Sequence, residues 1–100
     1  MEKIALIDLG SNTARLVIYD VLEGGYFVVS EERREAVRLG ETEADGSLKQ
    51  TRIMQAIATL KAFKEMCSIK NVDKILAVAT AAVRRASNQK TFLADIYNAT

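Results

Sequence analysis

The run Asp8-Leu9-Gly10-Ser11-Asn12-Thr13-Ala14-Arg15 carries most of the chemistry this sequence offers. A carboxylate closes an apolar stretch, a turn of small residues follows, and a guanidinium stands on the return. Gly10 lets the backbone approach a ligand closely. The amides of Ser11 through Thr13 can then form a concave nest for an anion. Arg15 alternates onto one face of the strand after the turn and offers a planar fork for phosphate oxygens. Asp8 repels a phosphate, so its part there is to hold a divalent cation, directly or through water, or to orient an attacking water. The same string equally describes an ordinary turn in which Asp and Asn satisfy their own backbone. The residues alone leave both readings open.

The elements that would position this string follow from the apolar pattern. Ile4 to Leu9 is a nearly continuous apolar run, as expected of a strand covered on both faces. After the Gly10-Ser11-Asn12 turn, Ala14 to Val21 is rich in Val, Ile and Tyr and reads as a second strand. Glu23-Gly24-Gly25 turns the chain again, and Tyr26-Phe27-Val28-Val29 opens a third. Such short turns predict an antiparallel meander. Charges crowd Glu31 to Glu35, which puts the third strand at an edge of the sheet or beyond it. A polar loop, Gly40 to Gly46, comes next.

Ser47 and Gln50 then stand at the spacing of a capping box. Behind them Ile53, Ala56, Ile57, Leu60, Phe63 and Cys67 fall at helical intervals, with Lys61, Lys64 and Glu65 on the other face. Ile75 to Ala79 repeats the buried-strand pattern. A helix between two such strands makes a crossover that sets the last strand parallel to an earlier one. Asn88 suits the cap of a final helix bearing Phe92, Leu93, Ile96 and Tyr97. The expected fold is α/β, in the order β-β-β-α-β-α, with an antiparallel three-strand meander extended by a parallel strand and helices packed on the sheet.

Composition narrows the functions on offer. One hundred residues make a single domain or part of one, and 49% apolar residues are ample for a core. Fourteen basic side chains face thirteen acidic ones, so no DNA or RNA duplex is expected as partner and any anion site must be local. Cys67 is the sole cysteine, which excludes an internal disulfide and a cysteine metal cage. Histidine is absent, and with it the commonest general base and metal ligand. The first apolar run is too short, and too interrupted by Asp8, for a signal peptide or a membrane span. A cytoplasmic protein with no membrane partner is expected.

Ile7 to Leu16 resembles the first phosphate motif of the exopolyphosphatase and guanosine pentaphosphatase (Ppx/GppA) family, a branch of the actin-like ATPase superfamily with a ribonuclease H-like fold. Ser11-Asn12 followed by Arg15-Leu16 is the part that resembles the phosphatase branch, and it argues against an actin-like kinase or ATPase. Ala79 to Asn88, followed by Phe92, is similar to a second segment of that family, Ala-Thr-x-Ala-x-Arg-x-Ala-x-Asn. Val37-Arg38-Leu39-Gly40 matches an Arg-Leu-Gly that leaves the third strand in many members.

The resemblance implies a phosphate pocket lined by Asp8, Gly10, Ser11, Asn12 and Thr13. Arg15 reaches a phosphate, Arg84 supplies a second cation at the cleft, and Thr80 and Arg38 stand as further candidates. Arg85, next to Arg84, points in another direction and is the less favoured of the pair. Mg²⁺ is the implied cofactor, with Asp8 as a ligand. Polyphosphate, or guanosine penta- or tetraphosphate, is the implied substrate. A homodimer is expected of the full-length protein.

The family's base is a glutamate in a Ser-Gly-Glu-Glu-Glu-Ala-like segment, and its second phosphate hairpin comes from an opposite lobe. Neither occurs before Thr100. Residues 1–100 are therefore expected to be the amino-terminal part of a two-lobed enzyme, inactive alone. A module that binds polyphosphate or an alarmone without turnover is the alternative.

Overall fold

The computed structural model describes residues 2–79. The expectations for Thr80, Arg84, Arg85 and the final helix from Asn88 lie outside those residues. Within them run β1 (Glu2–Leu9), β2 (Thr13–Val21), β3 (Phe27–Ala36), α1 (Gln50–Ile69) and β4 (Lys74–Ala79). They form one four-stranded sheet in the order β3-β2-β1-β4. β1, β2 and β3 pair antiparallel in sequence, and β4 returns parallel to β1. Both the meander and the crossover strand are as the pattern predicts, and the charged third strand lies at an edge.

Antiparallel register puts alternate residues on opposite faces of the sheet. Ala5, Ile7 and Leu9 of β1 and Ala14, Leu16 and Ile18 of β2 point to one face, where all are buried. α1 lies over them with Ile53, Ala56, Leu60, Phe63 and Cys67. Val37, Leu39 and Leu48, from the connection between β3 and α1, complete this core. Burial raises the Cys67 thiol above its usual range, so it stays protonated and serves as packing.

The other face differs from expectation. β1 is covered on one side: Ile4 and Leu6 are half-buried and Asp8 is exposed. β4 is not the buried strand its apolar pattern suggests, because Ile75, Leu76 and Val78 are all exposed. Among the described residues β4 has β1 as its single neighbour in the sheet, and α1 makes its main sheet contact with β2.

The two ends of α1 show how local chemistry sets its length. The capping box does not form. Lys49 is the N-cap and makes no side-chain cap bond, while the Ser47 hydroxyl donates to Asp45 Oδ1 at 2.6 Å. Ser47 N–H donates to the same oxygen, so the serine closes an Asx turn in the loop and stands two residues before the N-cap position. The C-terminus closes as a Schellman motif. Val72 N–H donates to Cys67 O at 2.9 Å, Asn71 N–H donates to Ser68 O at 3.2 Å, and Asn71 has φ 58°. Asp73 then exchanges two hydrogen bonds with Lys3, one through its amide and one through its carboxylate, which aligns β4 beside β1.

Candidate functional site

The β1–β2 turn is held from two sides. From within, Gly10 N–H donates to Thr13 O at 2.9 Å, which leaves Ser11 and Asn12 at the tip. A Cβ on Gly10 would stand 2.7 Å from that carbonyl oxygen, so the turn closes this tightly because the residue is glycine. From behind, the chain leaving β3 folds against the tip. Val37 and Arg38 both donate their amides to Asn12 O, at 2.8 and 3.1 Å, and Gly40 donates to Ser11 O at 2.7 Å. The carbonyls of the tip are thus taken up, while among the described residues no backbone acceptor takes the amides of Ser11 or Asn12. A pair of unclaimed amides beside a glycine turn is what an anion nest requires.

The Arg-Leu-Gly segment is therefore part of the same construction. Val37 and Leu39 are fully buried and anchor it in the core. Arg38 between them is exposed and sits in the left-handed region at φ 51°. That conformation costs about 1–2 kcal/mol in a residue with a Cβ. The two buried anchors and the shared Asn12 carbonyl hold it there.

Behind the tip a row of residues crosses the sheet on the face away from α1. Asp8 is the Cα partner of Arg15, Arg15 is the partner of Arg34, and Val78 stands beside Asp8 on β4. Arg15 Nε donates to Glu32 Oε1 at 3.1 Å, and Arg34 Nε donates to the same oxygen at 3.0 Å. The hydrogen bond from Arg34, and then that from Arg15, holds the Glu32 carboxyl below the ordinary 4.5 of a glutamate. Glu32 is accordingly ionised at neutral pH and keeps both guanidinium groups in place.

Asp8, Gly10, Ser11, Asn12, Thr13 and Arg15 come together at one end of the β1–β2 hairpin, and Arg38 is brought to them by its backbone. Thr80 and Arg84 lie outside the described residues. Ala79, the last described residue, pairs with Leu9 beside the Gly10 turn. For a cation, Asp8 is a single carboxylate: no group of three or more Asp, Glu, Cys or His side chains gathers among the described residues. One carboxylate beside a phosphate nest fits Mg²⁺ held jointly with substrate oxygens, and does not fit an all-protein metal cage.

Glu32 and Arg34 were not singled out by sequence. Their spacing of two places both on one face of β3, which was legible. Their partner on β2 was not, because the register shifts between Ile18 and Tyr19 and cannot be counted from the β2–β3 turn.

Comparison with known proteins now bears on the whole chain. The model of the Ppx/GppA phosphatase family matches residues 17–100. The chain belongs to that family. The match begins after the Asp8–Arg15 segment, so membership rests on the rest of the chain. Exopolyphosphatase 1 of Mycobacterium tuberculosis is 27% identical over 95 residues, which cover 94% of this chain and 28% of that protein. The crystal structure of the Ppx/GppA phosphatase of Aquifex aeolicus superimposes with a TM-score of 0.93 at 33% identity, over 99% of this chain and 33% of the other. An exopolyphosphatase from Cytophaga hutchinsonii gives 0.90 at 28% identity, over 97% of this chain and 31% of the other. The chain thus spans about a third of the length of its Ppx/GppA relatives, and its incomplete α/β fold is that of their actin-like domain.

Proposed function

We propose that the protein carrying this chain hydrolyses the terminal phosphoanhydride bond of inorganic polyphosphate or of guanosine pentaphosphate, and that this segment supplies one wall of its cleft. The observation that carries the reading is the clamped turn. The Ser11 and Asn12 carbonyls are bound from behind, their amides are left to an anion, and Arg15 stands one residue pair further along the hairpin.

In this reading the amides of Ser11 and Asn12 receive oxygens of the terminal phosphate. Arg15 meets the negative charge that spreads over the transferred phosphoryl group as the bond to the leaving oxygen lengthens. Glu32 keeps the Arg15 guanidinium fixed before substrate arrives, so little reorganisation is left for the reaction itself. Asp8 is the residue of this wall that would hold Mg²⁺, and the ion would supply charge neutralisation on the phosphate oxygens. Activation of the attacking water falls to a glutamate that residues 1–100 do not contain. Exopolyphosphatase relatives support the polymer as substrate.

The test is phosphate release by the full-length polypeptide from long-chain polyphosphate and, separately, from guanosine pentaphosphate, with Mg²⁺ present. Replacing Arg15 by Ala is expected to lower kcat about 10²–10³-fold, the usual loss on removing a donor to a developing anion. Unchanged turnover in the Arg15→Ala protein would place the chemistry elsewhere. Tight polyphosphate binding with no release by the unaltered protein would leave a binding module.

A further inference from the structure

Arg15 and Arg34 are direct partners on neighbouring antiparallel strands, an arrangement that destabilises a sheet when both side chains carry the same charge. Glu32 offsets part of that repulsion, since one of its oxygens accepts from both Nε atoms. Glu32 alone cannot neutralise both guanidinium groups, and Asp8, the partner of Arg15, lies at the far end of the row from Arg34. The bonding also has a direction. Both arginines spend Nε on Glu32, and among the described residues no hydrogen bond or ion pair engages Nη1 or Nη2 of either. Two forks are therefore pinned at the root and open at the tip. Their side chains are 41% and 64% exposed, so the open ends reach solvent.

An ordinary surface ion pair would not need this arrangement. Exposed pairs contribute little to stability, and a single arginine beside Glu32 would supply that without a like-charged neighbour. The row runs from Asp8 through Arg15 to Arg34, each step one strand spacing of about 4.8 Å. A linear phosphate chain whose end lies at the Ser11-Asn12 tip and beside Arg15 would run on towards Arg34 at the sheet edge.

We propose that Arg34, pinned beside Arg15 by Glu32, binds a phosphate further along the substrate chain, so that the site selects extended polyphosphate over short phosphate anions. Glu32 is the positioning residue of this pair, and it acts on substrate through the two arginines. The inference rests on the phosphohydrolase reading above and adds a subsite to it.

The experiment uses the full-length protein with long-chain polyphosphate as substrate and pyrophosphate, which is too short to reach from Arg15 to Arg34, as competitive inhibitor, and reads KM, kcat and Ki separately. Arg34→Ala is expected to raise KM for the long chain about 10–100-fold, the loss typical of a charge-assisted contact to phosphate. Its kcat, its Ki for pyrophosphate and its melting temperature stay as in the parent. Arg34→Lys restores part of the affinity, since it keeps the charge and loses the fork. Glu32→Ala lowers kcat as well, through Arg15, and Glu32→Gln recovers part of that loss because an acceptor oxygen remains.

If Arg34→Ala leaves KM for the long chain unchanged, or raises it only as much as it raises Ki for pyrophosphate, the subsite is refuted. Loss of activity in Arg15→Ala in the same series would show that the phosphohydrolase reading survives that refutation. A parent protein that neither binds nor cleaves long-chain polyphosphate removes both.

Discussion

Gly10 and Gly25 both sit in hairpin turns, yet a methyl group would disturb them for different reasons. Gly25 has φ 85° and open space around its Cβ position, so its constraint is conformational alone. Alanine there costs about 1–2 kcal/mol of strain and touches nothing. At Gly10 the backbone is ordinary, and the obstacle is the Thr13 carbonyl oxygen 2.7 Å from the added carbon. A backbone atom cannot rotate away, so the turn must open, and the Ser11 and Asn12 amides move with it. Gly10→Ala is expected to lower kcat/KM of the full-length protein about a hundredfold, the scale of an ångström of misplacement. Gly25→Ala should lower the melting temperature and leave the kinetics alone. Paired thermal unfolding and steady-state assays separate the two, and equal kinetic losses would count against the turn as the phosphate site. The importance of Gly10 was legible in the sequence, because a glycine between Asp and Ser-Asn can serve close approach. That its neighbours' carbonyls would be claimed by Val37, Arg38 and Gly40 was not, since nothing in a linear pattern fixes a contact across some twenty-five residues of chain.

At the scale of elements, α1 was predicted well along its length and poorly at its start. Its buried stripe is set by spacing, with Ile53, Ala56, Leu60, Phe63 and Cys67 in the core and Ile57 partly buried against it. Its cap was misplaced because Asp45 draws Ser47 into an Asx turn, and the helix starts two residues later, with Lys49 at the N-cap. The consequence is a helix that begins at Lys49 with no side-chain cap, no acidic residue in its first turn and a cation near its positive end. Lys49→Ser is expected to raise stability by about 1 kcal/mol in chemical denaturation of the full-length protein, by supplying an acceptor for the first-turn amides. At the other end Asn71 occupies the left-handed position of the Schellman motif, where a β-branched residue is strained. Asn71→Val is expected to lose about 1–2 kcal/mol. Opposite signs from two single changes at the two ends would establish that capping, rather than helix propensity, limits α1. The two strand edges show the same division. Charge on β3 marked it as an edge, whereas the apolar sequence of β4 indicated burial that the described residues do not provide.

At the scale of the whole molecule, the described residues leave one face of the sheet sealed by α1 and the other largely open. On the open side Ile4, Leu6, Tyr19, Phe27 and Leu76 line an apolar depression of about 430 Å³. Phe27, Leu76 and Val78 are 60%, 61% and 53% exposed, far more than isolated apolar surface residues require. Tyr19 and Phe27 meet edge to face at 6.2 Å, so this surface is already ordered as a packing layer. Alongside it, among the described residues β4 has β1 as its only neighbour, which leaves an edge able to pair with another strand. Formal net charge is +1, too little for repulsion to keep copies apart. Residues 1–100 expressed alone should therefore self-associate, with a weight-average mass in sedimentation that climbs with concentration and an unfolding midpoint that climbs with it. Replacing Leu76 by Lys should suppress that association without unfolding the chain, because the side chain is exposed and outside the core against α1. In the full-length protein the same substitution is expected to destabilise instead, if the remaining two thirds of a Ppx/GppA phosphatase cover this face. A concentration-independent monomer would show that the open face is tolerated as it stands. Association that Leu76→Lys leaves untouched would move the contact to another surface.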